Sequence, residues 1–441
     1  MNTRQVLELL KRYESRNVTF IEPDGSWPVV WKRARGAQVW DADGNKYLDL
    51  TAAFGVATAG HANPRVVKAA QRQMAELPHA MGDVHPHALK AELARELSRI
   101  TFERWTRRNA KSEIRNPKSA KTIFCNSGFE AVEAALKTAM LATGKRGVIA
   151  FEGAYHGLGY GALNTTHRAH FRSHFRAQLG GFGHFVPFPA EGARDGLAEI
   201  ESQIYRLFGR EKIGAVLVEP IQVRGGINIP LPEFLPLLRR LCDERGALLV
   251  LDEIYTGFGR TGKWFACEHS GTVPDILCLG KALTGGFPLS GCVGRSDVMD
   301  AAWPPSTGEA IHTSTFLGHP VGCAMALAQI KEITRLQLVR RSSKLGLFLL
   351  AMLSELRAQR LPVSLSARGL GLLAGLEVCD TDGSPATKSA LRMIKAMLRR
   401  GFIVLPEGEH ANIVSFTPPL TITARQLQAA VSALAEILNH Q

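Results

Sequence analysis

The sequence predicts an α/β protein in which helices cover both sides of a large, mostly parallel sheet and a smaller α+β unit stands beside it. Three observations carry this. Six short runs between residues 121 and 294 are apolar at successive positions, so both faces of those strands are buried. Helix-length amphipathic segments separate most of them, as parallel crossovers require. After about residue 320 the pattern changes to two helices followed by short strands and helices.

In chain order, Val6, Leu9, Leu10 and Tyr13 share one face of an N-terminal helix whose mixed charges do not resemble a secretion signal. "VWDADGNKYLDL" (39–50) reads as a hairpin turning at Asp43-Gly44. The buried strands follow: "KTIFCN" (121–126), "GVIAFEG" (147–153), "GAVLVEP" (214–220), "GALLVLDE" (246–253), "DILCLGK" (275–281) and "SGCVG" (290–294). Leu345 to Leu353 reads as a core helix, and "GLGLLAGLEV", "GFIVLP" and "NIVSFTPP" as the strands of the C-terminal unit. The expected division is residues 1–61, an N-terminal segment joining the small unit; 62–325, the large domain; and 326–441, the small domain.

Composition narrows the function classes. The 441 residues are 45% hydrophobic and 21% charged, ordinary for a globular chain. No run approaches the roughly 18 apolar residues of a membrane span. Seven scattered cysteines without a CxxC pair suggest reduced thiols and a cytoplasmic setting. The formal charge is +13, and residues 103–121 concentrate seven basic against two acidic side chains. No aromatic interleaving or nucleic-acid motif accompanies that cluster, so it reads as a solvated surface insertion and not as a nucleic-acid site.

Ligands of open α/β sheets sit beyond the carboxyl ends of the strands, so the residues that follow each apolar run matter most. Ser127-Gly128 closes one strand and opens a helix on the face Val132, Ala135, Leu136, Ala139 and Met140. The free N–H groups there suit a phosphate, although a plain serine cap accounts for the same pattern. Tyr155 and His156 follow the next strand, where an aromatic can stack on a flat ring or simply pack. Asp252 ends an apolar strand and needs a cationic partner, such as a metal or a protonated ring nitrogen. Lys281 lies 29 residues later, at another strand end. An ammonium in apolar surroundings costs several kcal/mol unless paired, neutralised or covalently consumed. A desolvated lysine is also a better nucleophile toward carbonyls, and an aldehyde would take it up. Together these are the parts of a pyridoxal phosphate site.

From about Val39 to Leu420 the chain resembles the class III pyridoxal-phosphate aminotransferases, through "NSGFEAVEAALKTA", "YHG", "EPIQ", "LDEIYTGFGRTGKWFACEHSGTVPDILCLGKALTGG" and "HTSTFLGHPVGCAMA". The resemblance implies the aspartate-aminotransferase fold (fold type I) and pyridoxal 5'-phosphate as cofactor. It implies that Lys281 bonds the cofactor aldehyde and shuttles a proton, and that Asp252 pairs with the ring nitrogen. Tyr155 and Ile254 would cover the two ring faces beside His156, and Ser127, Gly128 and Phe129 would hold the phosphate. Glu219 and Gln222 would lie near the ring hydroxyl, with Gln222 the contact. Thr315 would reach the phosphate of a neighbouring subunit in a homodimer. The implied reaction moves an amino group from an amino acid or ω-amine donor to an oxo-acid or aldehyde acceptor by a ping-pong route. A racemase, aminomutase or decarboxylase of the same family is the alternative, and no nucleic-acid or membrane partner is implied.

The chain departs from the family at two linked positions. Arg224 stands where many members carry a glutamate after "EPxQ", and Ser415 stands where they carry an arginine before "PPL". Replacing both keeps one positive charge in the pocket, so Arg224 is expected either to grip a substrate carboxylate or to pair with an acidic neighbour. Arg224, Ser415 and, on the N-terminal side, Phe54 are the candidate substrate contacts. Leu158 occupies the place of an arginine that follows "YHG" in the 4-aminobutyrate enzymes, which argues against 4-aminobutyrate as donor.

Overall fold

A computed structural model describes residues 1–108, 119–189, 196–357 and 363–440. Residues 109–118 of the basic cluster expected at 103–121 therefore lie outside the described residues. Of its ends, Arg104 pairs with Glu268, and Lys121 with Asp300.

Among the described residues fifteen strands form three sheets. The N-terminal strands β1 (Trp31–Arg35), β2 (Gln38–Asp41) and β3 (Lys46–Asp49) are antiparallel. The large sheet contains β4 (Ala120–Cys125), β5 (Gly147–Phe151), β6 (Gly183–Val186), β7 (Ile213–Val218), β8 (Leu248–Asp252), β9 (Ile276–Leu279) and β10 (Ser290–Arg295). Its order is β4-β10-β9-β8-β7-β5-β6. The C-terminal part supplies β11 (Val363–Gly369), β12 (Ala374–Asp380), β13 (Phe402–Ile403), β14 (Leu405–Glu407) and β15 (Ile413–Phe416). Of these, β11, β12, β15 and β14 form an antiparallel sheet, whereas β13 pairs in parallel with β3 and ties the N-terminal strands to the C-terminal part.

The large sheet is buried on both faces. Along β8, Val250 joins one apolar cluster while Leu249 and Leu251 join another, and along β7 Ala215 and Leu217 alternate with Val216 and Val218 in the same way. Helix Gly128–Thr143 covers one face with Ala131, Val132, Ala135 and Ala139, while Met140, expected on that face, is 58% exposed. Strand β10 runs antiparallel to both its neighbours. Its connection from β9 contains only a short 3₁₀ turn, Lys281–Leu283, too little chain for a parallel crossover.

Two other expectations change in the structure. Helix Leu338–Ser354 is amphipathic and not wholly buried: Leu349 and Leu353 face the core while Leu347 is 71% exposed. Helix Pro320–Arg335 runs across the expected 325/326 boundary. All seven cysteines are free, six of them buried. Among the described residues no helix is long and apolar enough to cross a membrane.

Candidate active site

Because β4, β5, β7, β8 and β9 share one direction, their carboxyl ends open on one edge of the sheet. There they surround a cavity of about 440 Å³. Its lining includes Gly128 and Phe129 after β4, Tyr155 and His156 after β5, and Glu219 and Arg224 after β7. Asp252, Ile254 and Tyr255 come from the end of β8, and Lys281 from beyond β9.

Lys281 is only partly exposed, and its Nζ lies 4.8 Å from the centre of the Tyr255 ring. Burial holds its pKa below the ordinary lysine value, against the opposing pull of Asp252 and Glu219. Its φ of +38° is in the left-handed region that residues with a Cβ avoid. The Asp252 carboxylate is 5% exposed and fixed at both oxygens: Oδ2 lies 2.8 Å from His156 Nδ1, and Oδ1 accepts from the Ile254 N–H at 3.1 Å. Glu219 accepts from the backbone N–H groups of Tyr155 (2.9 Å) and Val223 (3.4 Å). Desolvation pushes its pKa up to about 7, the field of Asp252 working in the same direction.

Ser127 caps helix Gly128–Thr143, and Glu130 reaches back to the Ser127 and Asn126 N–H groups at 3.2 and 2.6 Å. The Ser127 hydroxyl is buried with no partner among the described residues, beside the free N–H groups of the helix start. A Cβ on Gly128 would press on Ile254 at 3.1 Å. His156 Nε2 is a second buried atom without a partner. An orphaned hydroxyl at a helix N-terminus, a fixed carboxylate and a desolvated amine around one cavity fit a group carrying a phosphate, a protonated ring nitrogen and an aldehyde. Among the described residues no cluster of His, Cys, Asp and Glu could hold a metal ion instead.

The cavity does not gather every expected residue. Gln222 is buried but turned away: its Nε2 donates to the Glu152 carbonyl (2.7 Å) and its Oε1 accepts from Asn228 (3.1 Å), which leaves Glu219 on the cavity wall. The Ser415 hydroxyl is used within its sheet, donating to the Leu405 carbonyl at 3.0 Å. Phe54 lies in a left-handed turn (φ of 47°, 50° and 60° at Ala52, Ala53 and Phe54), is 50% exposed and does not line the cavity. Thr315 is exposed and also off the lining.

Arg224 does line the cavity, and it meets an acid that sequence reasoning missed. Its Nη1 donates to Glu407 Oε2 at 2.8 Å, and the Glu407 side chain is 2% exposed. Burial pushes Glu407 up to about 7, with Arg224, Lys281 and Arg168 pulling the other way. The available signal was an acid closing the short apolar run "GFIVLPE", the same feature that drew attention to Asp252. Tyr255, buried against Lys281 with its pKa raised by desolvation to about 12, was also missed.

The chain matches the family described as aminotransferase class-III over residues 21–438. It belongs to that family. A 5-aminovalerate aminotransferase of Pseudomonas aeruginosa is 35% identical over 415 residues, 93% of each chain. An acetylornithine aminotransferase of Methanosarcina acetivorans is 35% identical over 413 residues, 93% of this chain and 92% of that one. An amine transaminase from an uncultivated Pseudomonas species, solved in its pyridoxal-phosphate-bound form, superposes with a TM-score of 0.83 at 28% identity, covering 96% and 97% of the two chains. The protein is accordingly a pyridoxal-phosphate-dependent aminotransferase of the aspartate-aminotransferase fold. The racemase, aminomutase or decarboxylase alternative gains no support.

Proposed function

We propose that this aminotransferase acts on amine donors bearing a carboxylate, with Lys281 as the catalytic amine and Asp252 as the partner of the cofactor's ring nitrogen. The observation that carries the reading is the convergence of Lys281 and the Asp252–His156 pair on one cavity whose wall at Gly128 directly follows the unpartnered Ser127 hydroxyl.

When bound, pyridoxal phosphate supplies a carbonyl that takes up amines and a ring that draws electrons from the adjacent carbon. The chain's residues do the rest. Ser127 and the N–H groups of Gly128 and Phe129 hold the phosphate at the helix N-terminus. Tyr155 and Ile254, both on the cavity lining, would confine the ring. Asp252, oriented by His156 and by the Ile254 N–H, keeps the ring nitrogen protonated. Lys281 Nζ would take the proton from the carbon that bears the donor amine and deliver it to the cofactor's former aldehyde carbon, so that the amino group stays behind when the donor leaves as its oxo product. Donor and acceptor use the cavity in turn, the ping-pong order. Arg224, the cation of the lining outside the chemistry at Lys281, receives the carboxylate. The relatives named for 5-aminovalerate and acetylornithine act on amines that carry one.

The active form is a homodimer of the cytoplasm in which Thr315 completes the partner's phosphate site. Exposed Met81 (54%), Val84 (58%), Ile311 (70%) and Phe316 (53%) support it. Their two segments are joined by Thr313, which donates to Asp83 at 2.7 Å, and Ser314 accepts from Asn126, next to the phosphate cradle, at 3.3 Å.

The direct test is borohydride reduction of the holoenzyme followed by peptide mass mapping. The cofactor is expected on Lys281, and Lys281→Ala is expected to turn over at least about 10⁴-fold more slowly, a loss of about 5 kcal/mol of transition-state stabilisation. A cofactor fixed to any other lysine defeats the assignment.

A further inference from the structure

Near the cavity, though off its lining, stands a second arginine that the chemistry at Lys281 leaves unused. Arg168 follows the Tyr155-His156 loop and is half-buried. Its guanidinium lies 5.4 Å from the centre of the Phe171 ring, and Phe171 packs edge-on against Tyr155 at 5.4 Å. Arg224 stands 5.9 Å from the centre of that same Tyr155 ring. The two aromatic rings thus link the two guanidiniums through successive contacts.

Both arginines also hold one short segment at the end of β14. Arg224 donates to the Glu407 carboxylate at 2.8 Å, and its carbonyl accepts from the Gly408 N–H at 3.2 Å. Arg168 Nη2 donates to the Glu409 carbonyl at 3.2 Å. The pairing is incomplete in hydrogen bonds. The buried Glu407 carboxylate bonds Arg224, whereas among the described residues the Glu409 and Glu407 carboxylates act on Arg168 only through their fields. Among the described residues Arg224's guanidinium donates only to Glu407, so the rest of its fork is free. Arg168 Nε is buried and has no acceptor among the described residues. Each guanidinium has five N–H donors in a fixed plane suited to carboxylates. Burial holds the Arg168 pKa down and the field of Arg224 adds to it, with Glu409 and Glu407 pulling the other way.

We propose that Arg168 and Arg224 together form a carboxylate subsite beside the cavity, with Glu407 as the buried positioning residue that turns the free side of the Arg224 fork toward the substrate. The occupant is the carboxylate of the donor or acceptor remote from the reacting carbon. Glu407 cannot leave without exposing itself or abandoning its only hydrogen-bond partner, so it orients Arg224 and does not compete for it. This rests on the aminotransferase reading of the cavity and adds two residues to its specificity.

The test uses holoenzyme and glutarate, a dicarboxylate with neither an amine nor an oxo group, which therefore binds without reacting. Calorimetry is expected to show binding to the wild type. Arg168→Ala should weaken it at least about tenfold, the equivalent of about 1.4 kcal/mol. Arg168→Lys, which keeps the charge and the stem but not the fork, should weaken it by less. Glu407→Gln, equal in shape but uncharged, should also weaken it. An unchanged affinity in either Arg168 variant, or no glutarate binding by the wild type, overturns the subsite. Tighter or unchanged binding by Glu407→Gln overturns the positioning role. The absorbance band of the bound cofactor separates this from the underlying reading: a wild type that takes up no cofactor defeats the cavity assignment itself, whereas intact uptake with unaltered glutarate affinity defeats only the subsite.

Discussion

Glu219 is buried in the cavity wall with two backbone N–H donors and no cation bonded to it, and it titrates near pH 7 when its ordinary value is 4.5. The consequence for stability has a definite sign. Below pH 4.5 the carboxyl is protonated whether the chain is folded or not. Between 4.5 and about 7 the unfolded chain releases a proton that the folded chain keeps, and above about 7 the folded chain bears the full cost of a desolvated charge. Stability from this group is therefore present below its unfolded pKa and lost as pH rises through its folded one. Glu407 is shifted the same way and adds to the trend. The melting temperature of the cofactor-free protein should fall between about pH 5 and about pH 8, and Glu219→Gln should reduce that fall. Equal falls in wild type and variant would show that Glu219 ionises normally.

At the scale of elements, the site is assembled by strand ends, and strand ends are what an apolar run makes legible. Asp252 and Lys281 stood out because each is a charge closing a run buried on both faces. Strands β1, β6 and β11 were not read, because "WKRAR", "GHFV" and "VSLSARG" are partly exposed and carry polar residues. The reversed direction of β10 was hidden as well, since an apolar run has no polarity and only the short link from β9 imposes one. Arg168 and Glu407 escaped for a different reason: 239 positions separate them, and nothing local in either sequence points to the other. The loop after β5 makes its own prediction. Gly157 has a φ of +113°, and a Cβ there would lie 2.3 Å from that of Phe129, at the start of the phosphate-cradling helix. Gly157→Ala should cost about 2–3 kcal/mol in denaturant unfolding. It should also loosen the cofactor by moving Phe129, so dialysis should strip it faster than from the wild type. Retention equal to the wild type would mean that the helix start takes up the strain without disturbing the cradle.

For the whole molecule, the question is what covers the apolar surface beside the cavity. Met81, Val84, Ile311 and Phe316 belong to two segments far apart in sequence, yet Thr313 and Asp83 bond them together, and Phe316 packs on His79 at 5.3 Å. Exposed apolar side chains on segments held together in this way are candidates for an interaction surface. The patch adjoins Ser127 through the Asn126–Ser314 hydrogen bond, so a copy seated on it would lie within reach of the phosphate cradle. Assembly and cofactor retention should therefore fail together. Replacing Ile311 and Phe316 by aspartate buries two unpaired charges in that contact, a cost of several kcal/mol that a dimer interface does not tolerate. Sedimentation should show a dimer for the wild type and a monomer for the double variant, and the monomer should lose cofactor on gel filtration. If Thr315 completes the partner's phosphate site as proposed, Thr315→Ala should keep the dimer and weaken cofactor binding alone, because it would remove that contact and no apolar area. A wild type that sediments as a monomer with its cofactor fully bound would show that each chain completes its own cradle.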